Sequence, residues 1–245
     1  MKITQDYIPV GHPNRPGVLL DKIGMLARIF HGTANRSLGA DAEMHRKYCA
    51  RVYKKIGGKS YEADGVTPFR FGCAHVYIDK DSAVEMIPPT EYAPAAGDHP
   101  LPANNGSKGQ TIIARDLFVY RQNYRSFQIE LCMNDMSAWD KVLKNAIYYV
   151  ATRCPNPALL NFTHYDLTGK LCPEPFIVKG APFEAWAKFK LQLETTLTAL
   201  SKIDYAADKH GINREFWRDK VINDVAVSGY TVGCLFNALV KEDTK

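Results

Sequence analysis

The sequence predicts an α/β domain followed by a helical C-terminal region. Short apolar runs of strand length alternate with helix-length segments up to about residue 180, and only helical periodicity follows. The chain has 245 residues, which suits one large domain or one domain with a small appendage. We therefore divide it into a folded α/β domain at 1–180 and a helical region at 181–245.

Composition and charge exclude several classes of protein. With 46% hydrophobic and 23% charged residues, the chain is not disordered, collagenous or a coiled coil. Lys and Arg number 31 against 26 Asp and Glu, and this excess of +5 is spread without a dense basic tract. It suits loose attraction to an anionic partner and argues against nucleic acid. No apolar run reaches the ~20 residues of a membrane span, and no signal peptide precedes the domain, so we expect no membrane insertion and a cytoplasmic location until release.

The first 58 residues are interpreted as an arm, a strand and a helix. Residues 1–25 are rich in Pro and Gly, which is typical of an extended arm with little regular structure. Residues 26–31 form a short apolar run, which predicts a buried strand ending in a loop. Apolar residues recur every four positions from Ala40 to Ile56, a stripe that predicts a helix ended by the glycines at 57 and 58.

The middle of the chain predicts a hairpin, a long loop and a strand–helix pair. Residues 73–79 and 83–88 have the composition of strands joined by a tight turn. Residues 88–111 contain five prolines, which predicts a long surface loop. Residues 127–132 alternate strictly between apolar and other side chains, as a strand does, and a helix is predicted at about 137–152.

The helical C-terminal region has two interpretations. From Pro182 onward apolar side chains recur on one helix face, and shorter helices are predicted at 213–227 and 230–240. One interpretation is a cell-wall-targeting module or a contact that forms a homo-oligomer. The other is a helix that packs back on the sheet of the α/β domain, with a small cap.

Three residues outside this region could bind a metal ion. His31 follows one predicted strand, and His164 follows another at 159–162, with Lys170 and Cys172 in the next loop. Imidazole and thiolate are ligands that Zn²⁺ prefers, and three protein ligands with an open fourth position form a catalytic site. From the residues alone, hydrogen-bonded structural histidines and a buried core cysteine remain alternatives.

Two nearby residues could assist such a site. Glu130 shares a strand face with Gln128 and Cys132, opposite the apolar residues, so it is either a carboxylate in solvent or a general base beside the metal. Lys170 is either a loop-tip lysine in water or a cation that the Cys172 loop directs to the same site.

Several segments resemble, in the right order, the type 2 N-acetylmuramoyl-L-alanine amidases. This family includes bacteriophage endolysins and bacterial autolysins, and peptidoglycan recognition proteins share its fold. The resemblance covers roughly residues 1–178 and implies a mixed central β-sheet flanked by helices. The matching segments are residues 30–35, 40–45, 73–79 with 83–88, 96–98, 123–132 and 164–173.

The resemblance also implies the roles of individual residues. His31, His164 and Cys172 would hold Zn²⁺, Glu130 would be the catalytic base, and Lys170 would stabilise the oxyanion. The implied substrate is the amide between N-acetylmuramic acid and L-alanine in peptidoglycan of the bacterial cell wall. His75 is expected to shape the substrate groove without binding the metal, and His45 is interpreted as a helix-surface residue with no catalytic duty.

Two departures affect the expected substrate groove rather than the metal ligands. Pro94 and Ala95 stand where the endolysin branch usually has Trp-His, and the segment 99–122 is longer than in compact members. A phage-type endolysin is favoured, because a lytic enzyme without a signal peptide can wait in the cytosol until a membrane pore opens. The alternatives are a peptidoglycan-binding protein without turnover, which the presence of Cys172 argues against, and a cytosolic amidase that recycles muropeptides.

Overall fold

A six-stranded mixed sheet forms the centre of the fold. The computed structural model describes residues 1–21, 24–96, 122–177 and 184–223. The sheet has the order β1-β6-β5-β7-β2-β8, and β3 and β4 form a separate two-stranded sheet. The strands are β1 Lys2–Gln5, β2 Ala27–Gly32, β3 Tyr53–Ile56, β4 Lys59–Glu62, β5 Val76–Ile78, β6 Ser82–Glu85, β7 Ser126–Leu131 and β8 Leu160–Thr163.

Helices cover both faces of this sheet. They are α1 Ala42–Cys49, α2 Trp139–Arg153, α3 His164–Thr168, α4 Glu184–His210 and α5 Arg214–Asn223, with short 3₁₀ turns at Gln122–Tyr124, Met136–Ala138 and Glu174–Phe176. Among the described residues, none of the helices combines the length and apolar character that a membrane span requires. The predicted fold class, a mixed sheet flanked by helices, is confirmed.

Strand direction brings several loops to one edge of the sheet. Strands β5, β7, β2 and β8 run parallel to one another, whereas β6 is antiparallel to β5 and parallel to β1. The carboxyl ends of four neighbouring strands therefore meet at the same edge. Open sheets with parallel strands commonly bind ligands at such an edge.

One face of the sheet carries the larger apolar core. Phe30, Ile129 and Leu131 point into a cluster that helices α2 and α4 cover. On α4, Trp186 and Phe189 lie with ring centroids 5.6 and 5.3 Å from that of Phe30. The first helix of the C-terminal region thus packs over the sheet, as the second interpretation of that region expects. The boundary at 180 and the role of this region stay predictions, and residues 224–245, including the predicted helix at 230–240, lie outside the described residues.

Two expectations for the first 58 residues are wrong. The predicted helix ends at Cys49, and the rest of the four-residue stripe forms the β3–β4 hairpin. The glycines at 57 and 58, with φ of +56° and +80°, form its two-residue turn, because hairpin turns favour positive φ at both central positions. In the arm, residues Lys2–Gln5 pair with β6 as an edge strand instead of remaining irregular.

The other described elements agree with the sequence. The strand before His31, the hairpin of β5 and β6, the alternating strand β7, helix α2 and the strand before His164 all form close to the predicted positions. The long loop prolines at 88–96 are described, but the remainder of that loop, including most of the segment 99–122, lies outside the described residues.

Candidate metal centre

The candidate ligands lie at the carboxyl edge of the sheet because three local structures deliver them there. His31 is near the end of β2 and is paired in register with Glu130 on β7. His164 begins α3 directly after β8, where Thr163 and Asp166 form a capping box. Helix α3 ends after one turn at Gly169, whose φ of +74° reverses the chain toward Cys172.

The three predicted ligands converge. One donor atom each from His31, His164 and Cys172 lies within 4.8 Å of the others, and all three side chains are buried. Nδ1 of His31 is 3.0 Å from Nδ1 of His164 and 4.0 Å from Sγ of Cys172. Residues 133 positions apart in sequence and on different strands thus form one compact cluster with the donor set that Zn²⁺ prefers.

Gly32 allows the cysteine loop to approach β2. A side chain there would come within 2.9 Å of the sulfur of Met133 and 3.2 Å of Cβ of Pro173. The absent side chain leaves the backbone N–H of Gly32 free to donate to Sγ of Cys172 at 3.3 Å. A hydrogen bond to sulfur favours the thiolate, which is the form that binds a metal.

Gln128 fixes the orientation of the His31 ring. Its Oε1 accepts a hydrogen bond from Nε2 of His31 at 2.7 Å, and its Nε2 donates to Oγ of Ser126 at 2.6 Å. Ser126 in turn donates to the carbonyl of Gln122. Since Nε2 of His31 carries the proton, Nδ1 is the atom left to bind a metal, as in other sites where an outer hydrogen bond sets the tautomer. The sequence analysis assigned no role to Gln128, although its position two residues before Glu130 places it on the same strand face.

Burial keeps the nitrogen ligands neutral. It lowers the pKa of His31 to about 4 and that of His164 to about 2, so both imidazoles offer lone pairs at neutral pH. Burial raises the pKa of the Cys172 thiol to about 12, and the nearby Glu130 carboxylate adds to the rise. A divalent cation would supply the positive charge that stabilises the thiolate. The three residues therefore fit a metal ion.

Glu130 and Lys170 share a cleft of about 640 Å³ beside the cluster. Glu130 is half-buried, and its Oε2 is shielded from solvent without a hydrogen bond to any residue that the structure describes. Burial raises the pKa of Glu130 to about 8, and the charge of Lys170 opposes that rise. The exposed Lys170 and the buried carboxylate can thus act on the same bound group.

His75 lies near the cluster but faces the protein interior. Its Nδ1 accepts from the backbone N–H of Gln128 at 2.9 Å, and its Nε2 donates to the carbonyl of Glu91 at 2.8 Å. The fully buried ring stacks on Phe127, with centroids 4.6 Å apart. Both ring nitrogens are occupied by the backbone, so His75 can shape the groove only by holding its strands in place. A substrate role for it stays a prediction.

His45 is positioned differently from the sequence interpretation. Its ring stacks on Tyr77 at 5.1 Å between centroids and lines a second cavity, which also includes Glu130. The signal was its place on α1 between Ala42 and Cys49, three residues after one and four before the other. Both neighbours face the sheet and are buried, so a helix directs His45 toward the sheet as well.

Relatives of known name are amidases. No protein-family model matches the chain. The chain is 28% identical over 187 residues to N-acetylmuramoyl-L-alanine amidase BlyA of Bacillus subtilis (strain 168), covering 74% of the chain and 44% of that relative. It is 28% identical over 193 residues to N-acetylmuramoyl-L-alanine amidase XlyA of the same organism, covering 78% of the chain and 50% of that relative. The chain therefore spans about half the length of these curated relatives.

Solved structures extend the resemblance to the fold. The catalytic domain of XlyA superposes with a TM-score of 0.53 at 27% identity, covering 78% of this chain and 98% of that domain. PlyL superposes with the same TM-score at 19% identity, covering 79% of this chain and 97% of PlyL, which bears on the fold alone. The resemblance to N-acetylmuramoyl-L-alanine amidases is confirmed, and the similar region corresponds to a catalytic domain.

Proposed function

We propose that this chain is the catalytic part of a zinc-dependent N-acetylmuramoyl-L-alanine amidase of the endolysin type. Its substrate would be the amide that joins N-acetylmuramic acid to L-alanine in peptidoglycan. The observation that carries the proposal is the convergence of His31, His164 and Cys172 beside Glu130. The similarity to named amidases supports the same reaction.

His31, His164 and Cys172 would hold the zinc ion through two neutral imidazoles and one thiolate. When bound, zinc would act as a Lewis acid toward the amide carbonyl and lower the pKa of a water molecule. Gln128 keeps Nδ1 of His31 available for this role. The buried setting of the three ligands excludes competing water from the inner side of the site.

Glu130 and Lys170 would carry the proton and charge transfers. Glu130 would accept a proton from the attacking water at Oε2 and later give it to the leaving amine. Its raised pKa, about 8, suits a group that must hold this proton between the two steps. The ammonium of Lys170, in the same cleft, would stabilise the negative charge that develops on the carbonyl oxygen.

The direct test is the release of new amino groups from purified cell wall. The protein should liberate free L-alanine amino termini, a chelator should stop the release, and added Zn²⁺ should restore it. Binding to the wall with no new amino groups would contradict the proposal and favour a recognition protein. Release from small soluble muropeptides but not from intact sacculi would favour a recycling amidase instead of an endolysin.

A further inference from the structure

Two buried polar atoms without partners face one cavity between α1 and the sheet. They are Nε2 of His45 and Oε2 of Glu130, and neither makes a hydrogen bond within the part of the chain that the structure describes. Both side chains line the same cavity of about 500 Å³. Buried polar atoms in native proteins are usually paired, so two such atoms at one cavity indicate that a ligand completes them.

The surroundings of His45 fix what its free nitrogen offers. The ring hydrogen-bonds to the carbonyl of Ala40, which requires a proton on the ring nitrogen that faces it, and burial lowers the pKa of His45. The ring is therefore neutral, and Nε2 is an acceptor. The stacking on Tyr77 holds it in place, because Tyr77 is buried and is paired in register with Glu130.

The cavity favours a peptide as the donor that His45 meets. Leu38, Met44 and Tyr48 line it and keep 100%, 49% and 53% of their side chains exposed. Apolar side chains left open to water along a cavity match the methyl groups of a short peptide better than the hydroxyl-covered surface of a sugar. A peptide also supplies backbone N–H groups, which an acceptor nitrogen needs.

We infer that His45 is a substrate-binding residue, whose Nε2 accepts a hydrogen bond from a backbone N–H of the stem peptide lying in the α1 cavity. The inference rests on the proposed amidase function and assigns to His45 a role that its helical position alone did not suggest. His45 holds the peptide, and Glu130 at the end of the same cavity faces the bond to be cleaved.

Two matched substitutions separate binding from structure. His45→Asn keeps a donor near the position of Nδ1 for the Ala40 carbonyl but removes the acceptor, whereas His45→Gln places an acceptor oxygen near the position of Nε2. With a soluble muramyl tripeptide as substrate, we expect His45→Asn to raise KM about three- to tenfold with little change in kcat, as for the loss of one hydrogen bond. His45→Gln should recover most of the KM. Thermal unfolding and zinc content, measured on both zinc-loaded variants, should match those of the wild type.

Several results would overturn this inference. A wild-type KM in His45→Asn, or equal defects in both variants, would contradict a hydrogen bond to Nε2. A defect that appears only when a second sugar is added to the substrate would place the contact on the glycan rather than the peptide. Failure of the proposed function is a different result, because the wild type would then release no amine from any of these substrates.

Discussion

The two faces of strand β7 differ in what they contribute to the molecule. Phe127, Ile129 and Leu131 enter the apolar core beneath α2 and α4. Gln128 and Glu130, between them in sequence, face the metal cluster and its clefts. Alternation along one strand thus separates stability from chemistry within six residues. Substitutions on the two faces should therefore change different measured quantities.

The polar face is the less satisfied of the two. Oε2 of Glu130 lacks a partner among the described residues, and such a buried group costs about 1–3 kcal/mol. The apolar face has no comparable defect, since its side chains are closely packed. The cost at Glu130 is consistent with a carboxylate whose partner is the substrate or its water.

The largest expected effect is at the metal ligands. Cys172→Ser replaces a thiolate with a poorer zinc ligand, so zinc occupancy should fall and amidase activity should be nearly abolished. Metal analysis of the purified variant and amine release from cell wall measure the two effects. Full zinc content together with full activity would show that Cys172 is not a ligand.

Loss of the proposed base should be nearly as large but should leave the metal in place. Glu130→Gln keeps the shape of the side chain and removes its basicity, so the rate should fall on the order of 10²–10⁴-fold. Zinc content should stay at the wild-type level, because Glu130 is outside the ligand cluster. A variant with wild-type turnover would remove Glu130 from the mechanism.

His75 tests the stability side through pH. Burial lowers its pKa to about 4, so between pH 6.5 and 4 the unfolded chain binds a proton that the folded protein does not. The free energy of unfolding should be constant above pH 6.5 and should fall by about 3 kcal/mol as the pH decreases to 4. Denaturant unfolding of the zinc-loaded protein measures this, and a His75→Gln variant should show a flatter profile. Equal profiles in both proteins would contradict the assignment.

Gln128 should affect metal affinity moderately. Gln128→Leu removes the acceptor that fixes the tautomer of His31, so zinc affinity should fall about 10–100-fold. Gln128→Glu, which retains an acceptor, is the matched control and should bind zinc at least as tightly as Gln128→Leu. Competition with a coloured chelator measures both affinities. Equal, undiminished affinity in the two variants would show that the hydrogen bond to His31 is not needed.

The smallest effect is expected on the apolar face. Ile129→Val removes one methylene from a fully buried side chain, which should lower the free energy of unfolding by about 0.5–1.5 kcal/mol. Zinc affinity and turnover of the folded protein should not change. A loss of zinc affinity in this variant would mean that the two faces of β7 are not independent.

Sequence patterns predicted the strands around the site better than the region before it. The alternation at 127–132 has a period of two, which only a strand satisfies, so the faces of Phe127 and Glu130 were assigned correctly. The stripe from Ala40 to Ile56 has a spacing of four, which fits one helical turn and also two steps of a strand. The periodicity therefore could not show that the helix ends at Cys49.

Contacts between distant segments explain the remaining differences. The bond from Gln128 to His31 depends on the parallel pairing of β7 with β2, and local sequence carries no signal for that partner. The cavity beside His45 likewise needs α1 to lie over Tyr77. The ligand set itself was inferred from a resemblance, and the structure shows that the three side chains are close enough to share one ion.

The most direct test of the account is X-ray absorption at the zinc edge of the zinc-loaded protein. The account predicts one sulfur ligand at about 2.3 Å together with nitrogen or oxygen ligands at about 2.0–2.1 Å. It also predicts that the sulfur shell disappears in Cys172→Ser. A protein that binds no zinc, or a zinc ion surrounded only by nitrogen and oxygen in the wild type, would contradict it.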